Sequence, residues 1–142
     1  MEPNFENGDY LIVDEISYRI RSPQRGEVIV FKHPEDSSQR LIKRIIGLPG
    51  ETIDITGGEI KISKDGSTQI LDEKKYLNPS VFTAGEIHIV LGDNEYFVLG
   101  DNREFSYDSR RFGPFSADKI IGRVFLRAWP FASFVKIEAP AY

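Results

Sequence analysis

Two short stretches of this sequence concentrate polar and charged side chains beyond what folding alone needs. The first is Leu41-Ile42-Lys43-Arg44-Ile45-Ile46, followed by Gly47-Leu48-Pro49-Gly50-Glu51. A lysine stands in the middle of an apolar, strand-like run that ends in a Pro-Gly turn. Strand alternation puts Lys43 on one face with Leu41 and Ile45, and Arg44 on the other with Ile42 and Ile46. The second stretch runs from Gly100 to Pro114 and holds Asp101, Asn102, Arg103, Glu104, Ser106, Asp108, Ser109, Arg110 and Arg111. It follows directly on the apolar run Tyr96–Leu99. Taken singly, each has a plain alternative. Lys43 and Arg44 could guard a sheet edge. The acids and arginines of the loop could form exposed ion pairs worth little. The chemistry available is bounded by what the chain lacks. With no Cys, there is no thiol nucleophile, disulfide framework, iron–sulfur cluster or Cys-ligated zinc. His33 and His88 are the only histidines, so a His-rich metal site or histidine triad is poorly supplied.

The elements that must position these residues are short β-strands. Tyr10–Val13, Val28–Phe31, Leu41–Ile46, Tyr96–Leu99 and Val124–Leu126 are β-branched or aromatic runs bounded by Gly, Asp and Asn. Thr52–Ile55 and Glu59–Ile62 alternate polar and apolar residues across Thr56-Gly57-Gly58, which predicts a hairpin with one wet face. Lys64-Asp65-Gly66-Ser67 predicts a further tight turn. The best helical stretch, Ala117–Ile121, is about one turn long. The expectation is a mainly β protein. Residues 1–50 and 95–142 would form the core, and 51–94 a charged β-ribbon excursion. The 142 residues, 40% hydrophobic and 28% charged, suit one ordered domain with a real core. A net charge of -4 argues against nucleic acid as a partner. No apolar run of 18 residues is present, and the polar start is unlike a signal peptide.

Read together and in order, the two stretches resemble motifs of the bacterial type I signal peptidases. Lys43-Arg44 with Gly47-Leu48-Pro49-Gly50-Glu51 resembles the family's Lys-Arg-x-x-Gly-x-Pro-Gly-[Asp/Glu] segment. Gly100-Asp101-Asn102-Arg103, then Ser106, Asp108, Ser109 and Arg110, resembles its Gly-Asp-Asn-x-x-x-Ser-x-Asp-Ser-Arg segment. Met1-x-Pro3 with Gly8-Asp9-Tyr10 resembles the tail of the Ser-Met-x-Pro-Thr nucleophile motif. Arg25–Phe31 resembles the strand before the lysine segment, and Ile121–Pro130 is also of the family type. The likeness covers most of the chain except about 55–90.

The resemblance implies a signal-peptidase-type coiled β-sheet core and a serine endopeptidase that uses a lysine base and no cofactor or metal. Lys43 is then the general base. A free lysine is neutral in only about one molecule in 2,500 at pH 7, so the base must be desolvated. Lowering its pKa by about three units costs on the order of 4 kcal/mol. Leu41, Ile42 and Ile45 supply an apolar setting for that, and Arg44 is expected to be structural. Ser106 matches the serine that positions the lysine amine. Asp108 and Arg110 match a supporting ion pair, and Asp101 is expected in the same network. The implied substrate is an extended signal peptide, added beside the lysine strand and cut after small residues of an Ala-x-Ala pattern. Met1, Phe5, Leu41, Ile42 and Tyr107 are the candidate apolar walls. Trp129, Pro130, Phe131 and Phe134 form an aromatic cluster, either core or lipid-facing.

One departure is marked: in the family motif the nucleophilic serine immediately precedes the methionine, and here that methionine is residue 1. Asn4 also stands where the family usually has Thr. The expectation is a chain that begins just past its serine and membrane anchor, inactive by itself. The parent would sit at the bacterial cytoplasmic membrane with its catalytic domain on the extracytoplasmic side. Its partners would be preproteins, the lipid surface and the secretion translocon. The rivals are a non-catalytic homologue, a small β module that binds extended peptides, and a self-cleaving Ser–Lys repressor-type protein.

Overall fold

A computed structural model describes residues 1–129, 135–140 and 142. The described residues are built mainly from two antiparallel sheets. The larger is ordered β1 (Tyr10–Asp14), β10 (Ile120–Trp129), β2 (Val28–Lys32), β3 (Arg40–Gly47), β8 (Glu95–Leu99) and β9 (Phe115–Ser116), with β11 (Val135–Lys136) also paired to β10. The smaller is ordered β6 (Ser67–Ile70), β5 (Glu59–Lys64), β4 (Thr52–Thr56) and β7 (Ile87–Val90). The predicted hairpin is β4–β5, with Ile53, Ile55, Ile60 and Ile62 buried on one face.

That apolar face packs against the larger sheet. Ile46, Phe97 and Leu99 share one buried cluster with Ile53, Ile55, Ile60, Ile62, Leu71 and Leu91. Gly47 marks a close approach: a side chain there would meet methyl groups of Leu91 and Ile53 at 2.7 and 2.8 Å. A second cluster of Ile29, Phe31, Ile45, Tyr96, Val98 and Phe115 fills one side of the larger sheet. Val28, Val124 and Phe5 centre a third.

Three features differ from the sequence-based expectation, all of them local. The stretch from Ala117 is a 3-10 turn only to Lys119, because β-branched Ile120 and Ile121 already belong to β10. Among the described residues the one α-helical turn, α1 (Ser109–Phe112), lies instead in the charged loop, where Asp108 caps it by accepting from the Arg110 N–H at 3.2 Å. β6, β7, β9 and the two-residue β11 lie outside the expected strands. β6 is exposed throughout, and β9 is two residues long, so neither carries a hydrophobic alternation to detect. Of the aromatic cluster, Trp129 ends β10 opposite Tyr10, while Pro130, Phe131 and Phe134 lie outside the described residues.

β3 is the element that matters most for position. At Arg44 it is interior, paired to Val28 of β2 on one edge and to Leu99 of β8 on the other; beyond it Ile45 and Gly47 pair with β8, and Ile45 also exchanges hydrogen bonds with Gly26 and Glu27 just before β2. Among the described residues Arg40 to Lys43 pair only with β2, at Lys32 to Ile29. The first half of β3 thus presents a free edge beside the end of β8. An edge-strand reading holds for Lys43 and fails for Arg44.

Candidate active site

Lys43 stands where β3 passes from free edge to sheet interior. It is half-buried, and among the described residues its ammonium makes no hydrogen bond or ion pair. Burial pulls its pKa below the ordinary lysine value, against the upward pull of Asp108 and Asp101. Its neighbour Arg44 has the opposite situation. Arg44 Nε and Nη2 donate to the two carboxylate oxygens of Asp101 at 2.9 and 2.7 Å, and Nη1 donates to the Gly26 carbonyl at 2.8 Å. Its guanidinium lies 4.1 Å from the centre of the Tyr76 ring.

Gly100, the residue after β8, brings Lys43 and Ser106 together. A Cβ at Gly100 would fall 2.0 Å from Ser106 Oγ and 3.5 Å from Lys43 Cδ, so both side chains converge on the space that glycine leaves. Ser106 Oγ is buried and meets no hydrogen-bond partner within normal geometry among the described residues. Its hydroxyl is still close enough to Asp108 to help hold that carboxyl low. Burial pushes Asp108 up, but the Arg110 side chain and the Gly100 N–H outweigh it, leaving the carboxyl below its usual range.

The supporting residues form two anchors. Asp108 accepts Arg110 Nε and Nη2, both at 2.9 Å, and the Gly100 N–H at 3.0 Å. Asp101 is held from the other side, by Arg44 and by Asn4 Nδ2 at 2.7 Å, rather than by Arg110. Arg103 links the two, because its N–H donates to Asp101 O and its carbonyl accepts Arg110 Nη2 at 2.7 Å. Arg103 is itself buried, with Nε on Gly100 O and Nη1 on Glu73 at 2.8 Å. Glu73 carries no signal in the sequence, where it reads as one more charge in Asp72-Glu73-Lys74-Lys75. Asn4, which departs from the family motif, works here by donating to Asp101 and to Tyr76 O.

Met1, Phe5, Leu41, Ile42 and Tyr107 all line one cleft of about 630 Å³ together with Lys43 and Ser106. Phe5 is also core, buried against Val28 and Val124, so it offers the cleft only an edge. Met1 and Lys43 line the same cleft, so the first residue of the sequence lies in the neighbourhood of that lysine. A second cleft of about 890 Å³ meets the first at Glu2, Asn102 and Ser106.

The profile described as signal peptidase, peptidase S26, matches residues 1–129. The chain belongs to this family. It is 40% identical over 136 residues to a probable signal peptidase I-2 of Synechocystis sp., covering 92% of the chain and 59% of that relative. It is 40% identical over 138 residues to a signal peptidase I of Leptolyngbya laminosa, covering 92% and 64%. The chain therefore spans about six-tenths of the length of these two signal peptidases. A crystal structure of a signal peptidase I from Enterococcus faecalis V583 superposes with a TM-score of 0.59 at 30% identity, over 74% of this chain and 98% of that one. The mainly β, two-sheet architecture is thus a signal peptidase I fold.

Proposed function

We propose that these residues form the catalytic part of a Ser/Lys signal peptidase that removes signal peptides from exported preproteins. Lys43 is the general base, Ser106 positions its amine, and the serine nucleophile occupies the position immediately before Met1. The observation that carries this reading is Lys43 itself. It is a desolvated lysine with no ion pair among the described residues, sharing one cleft with Ser106 and the first residue of the chain. An unpaired, half-buried ammonium costs stability, so its presence makes physical sense where a neutral amine is needed.

In this mechanism the neutral Lys43 amine takes the serine hydroxyl proton as Oγ attacks the scissile carbonyl, and returns it to the leaving amine. Ser106 accepts from the amine and donates toward Asp108, which fixes the amine's direction. Asp101, Asp108 and Arg110 hold the loop and touch no reacting atom. The free edge of β3 at Arg40–Lys43 receives the signal peptide as an added strand. Leu41, Ile42 and Tyr107, with Met1 and the edge of Phe5, then restrict alternate side chains to small ones, giving the Ala-x-Ala preference. The core is proposed as 1–50 and 95–142, with 51–94 its buttress.

A lipid surface and the secretion translocon are proposed partners at the extracytoplasmic side of the bacterial cytoplasmic membrane. Exposed Tyr10, Ile12, Ile16, Ile20 and Phe105 support contact with lipid, since such side chains gain by leaving water. Among the described residues no helix is long and apolar enough to cross a membrane.

The test is cleavage of an Ala-x-Ala signal-peptide substrate by the chain extended upstream with serine directly before Met1. Cleavage lost in both Lys43→Ala and the serine→Ala variant, with folding retained, is the expected result. Turnover that survives Lys43→Ala would sink the assignment. A second reading, a peptide-binding module without catalysis, predicts binding to the same peptides and no cleavage in any form.

A further inference from the structure

His33 is one of two histidines and takes no part in the chemistry above, yet it is buried to 8% exposure and its ring stacks on Tyr107, which lines the cleft. It follows β2 and closes the turn into β3, its N–H donating to Gln39 O at 3.0 Å. Its Nδ1 accepts the Glu35 and Asp36 N–H groups at 3.1 and 3.2 Å, so any single ring proton sits on Nε2. The imidazole lies nearly parallel to the Tyr107 ring, 11° between planes and 5.7 Å between centres. Phe112 leans on both, 5.8 Å from His33 and 5.6 Å from Tyr107. Phe112 in turn contacts Phe31, which stacks on Phe115 in the core at 4.3 Å.

Tyr107 is the residue in this column that reaches the cleft. It is 44% exposed, and its hydroxyl makes no hydrogen bond among the described residues. Its ring lies against the His33 and Phe112 rings, which orient it in the structure. Backbone position does not determine ring angle, because Tyr107 follows Ser106 in a loop with no strand partner. A ring in that situation is as rigid as its stack.

We propose that His33 is a positioning residue that braces the Tyr107 ring as a fixed wall of the peptide cleft, and so sets how large a side chain the cleft admits. The inference rests on the peptidase reading above and extends it from catalysis to selectivity. Removing the brace lets the ring swing aside, which enlarges the cleft for bulky residues and leaves Lys43 and Ser106 in place.

Two variants separate stacking from turn formation. His33→Asn keeps an acceptor for the Glu35 and Asp36 N–H groups and removes the ring. His33→Phe keeps the ring and removes the acceptor. In the serine-extended chain, kcat/KM is measured for paired substrates carrying Ala or Leu at each small position before the scissile bond. His33→Asn is expected to reduce the Ala-over-Leu ratio about two- to tenfold, the range that an aromatic pair's coupling spans, chiefly by gain on the Leu substrate. His33→Phe is expected to retain the wild-type ratio. Should His33→Asn fail to fold, Phe112→Leu removes the other brace and is expected to lower the ratio in the same direction. An unchanged ratio, or parallel loss on both substrates, would overturn the brace while leaving the peptidase reading intact. No cleavage by the unsubstituted extended chain would overturn the peptidase reading, and the brace with it.

Discussion

Arg44 and Asp101 form a buried, two-pronged ion pair, with side-chain exposures of 4% and 0%, one residue away from a lysine that has no such partner among the described residues. The pair ties the middle of β3 to the loop that follows β8. Because Asp101 is taken up by Arg44 and Asn4, the first carboxylate of the loop acts on Lys43 only from a distance and forms no ion pair with it. The adjacent cations thus divide the work, one fixing the loop and the other remaining available for proton transfer.

Asp101→Ala is expected to destabilise the fold by about 3–5 kcal/mol, because it strands a buried guanidinium. Urea unfolding of Asp101→Ala checks this, and the same measurement on Arg44→Met, Asp101→Leu and the variant carrying both tests the coupling. The double variant should lose less than the sum of the two singles.

Gly100→Ala tests the meeting point of the candidate site. The added methyl would stand 2.6 Å from Ser106 Cβ and 2.0 Å from its Oγ, and a serine side chain is too short to bend away. Ser106 must move with its backbone, and Lys43 loses its aligned neighbour. Cleavage by the serine-extended chain should fall at least about a hundredfold, while stability falls by only about 1–3 kcal/mol, the usual cost of one extra carbon in a packed site. Retained cleavage would show that Ser106 does not need its present place.

Most strands are legible because β-branched runs stand between turn formers, and β3 is legible to within a residue at each end. The alternation around Lys43 also separates it from Arg44. Partnership across long separations is what a linear sequence hides. Chain proximity points Asp101 toward Asp108 and Arg110, but its carboxylate is held by Arg44 and Asn4. His33 carries no local signal, because its meaning comes from Tyr107, which lies far along the chain and two strands across the sheet. α1 is hidden for a different reason: one capped turn in a charged loop has no apolar period to detect.

Glu73 and Arg103 join the segment after β6 to the loop that carries Ser106. Arg103 is fully buried and keeps contacts to Glu73, Thr83 and Gly100 O. Glu73→Ala is expected to cost about 3–5 kcal/mol, since it leaves that guanidinium without its carboxylate. Hydrogen exchange offers the sharper check. Amides of the 100–110 loop should lose protection together with those of 72–84, while β1 and β10 keep theirs.

The lowered pKa of Lys43 makes stability depend on pH in a defined direction. The unfolded chain holds the lysine proton up to the ordinary value of 10.5, whereas the folded chain releases it at lower pH. Between those two values the unfolded state binds more protons, so this residue's contribution to stability rises with pH. Below the folded value its destabilising effect is complete, and above 10.5 it is gone. Lys43→Met, which keeps an unbranched chain of similar reach, should therefore be more stable than the parent at neutral pH. The gain is about 1.4 kcal/mol for every tenfold weakening of the lysine's proton affinity on folding. That advantage should shrink as pH rises toward 10.5. The same titration governs cleavage, where the rate should climb with pH as the amine becomes neutral. Asp108→Asn preserves the helix cap but removes the charge that holds the proton on Lys43, so the rising limb should move to lower pH. Denaturant titrations of parent and Lys43→Met from about pH 6 to 11, a range that brackets the ordinary lysine value, provide the measurement. An advantage that is constant across that range would mean that Lys43 titrates as an ordinary lysine, and would remove the physical basis for its role as base.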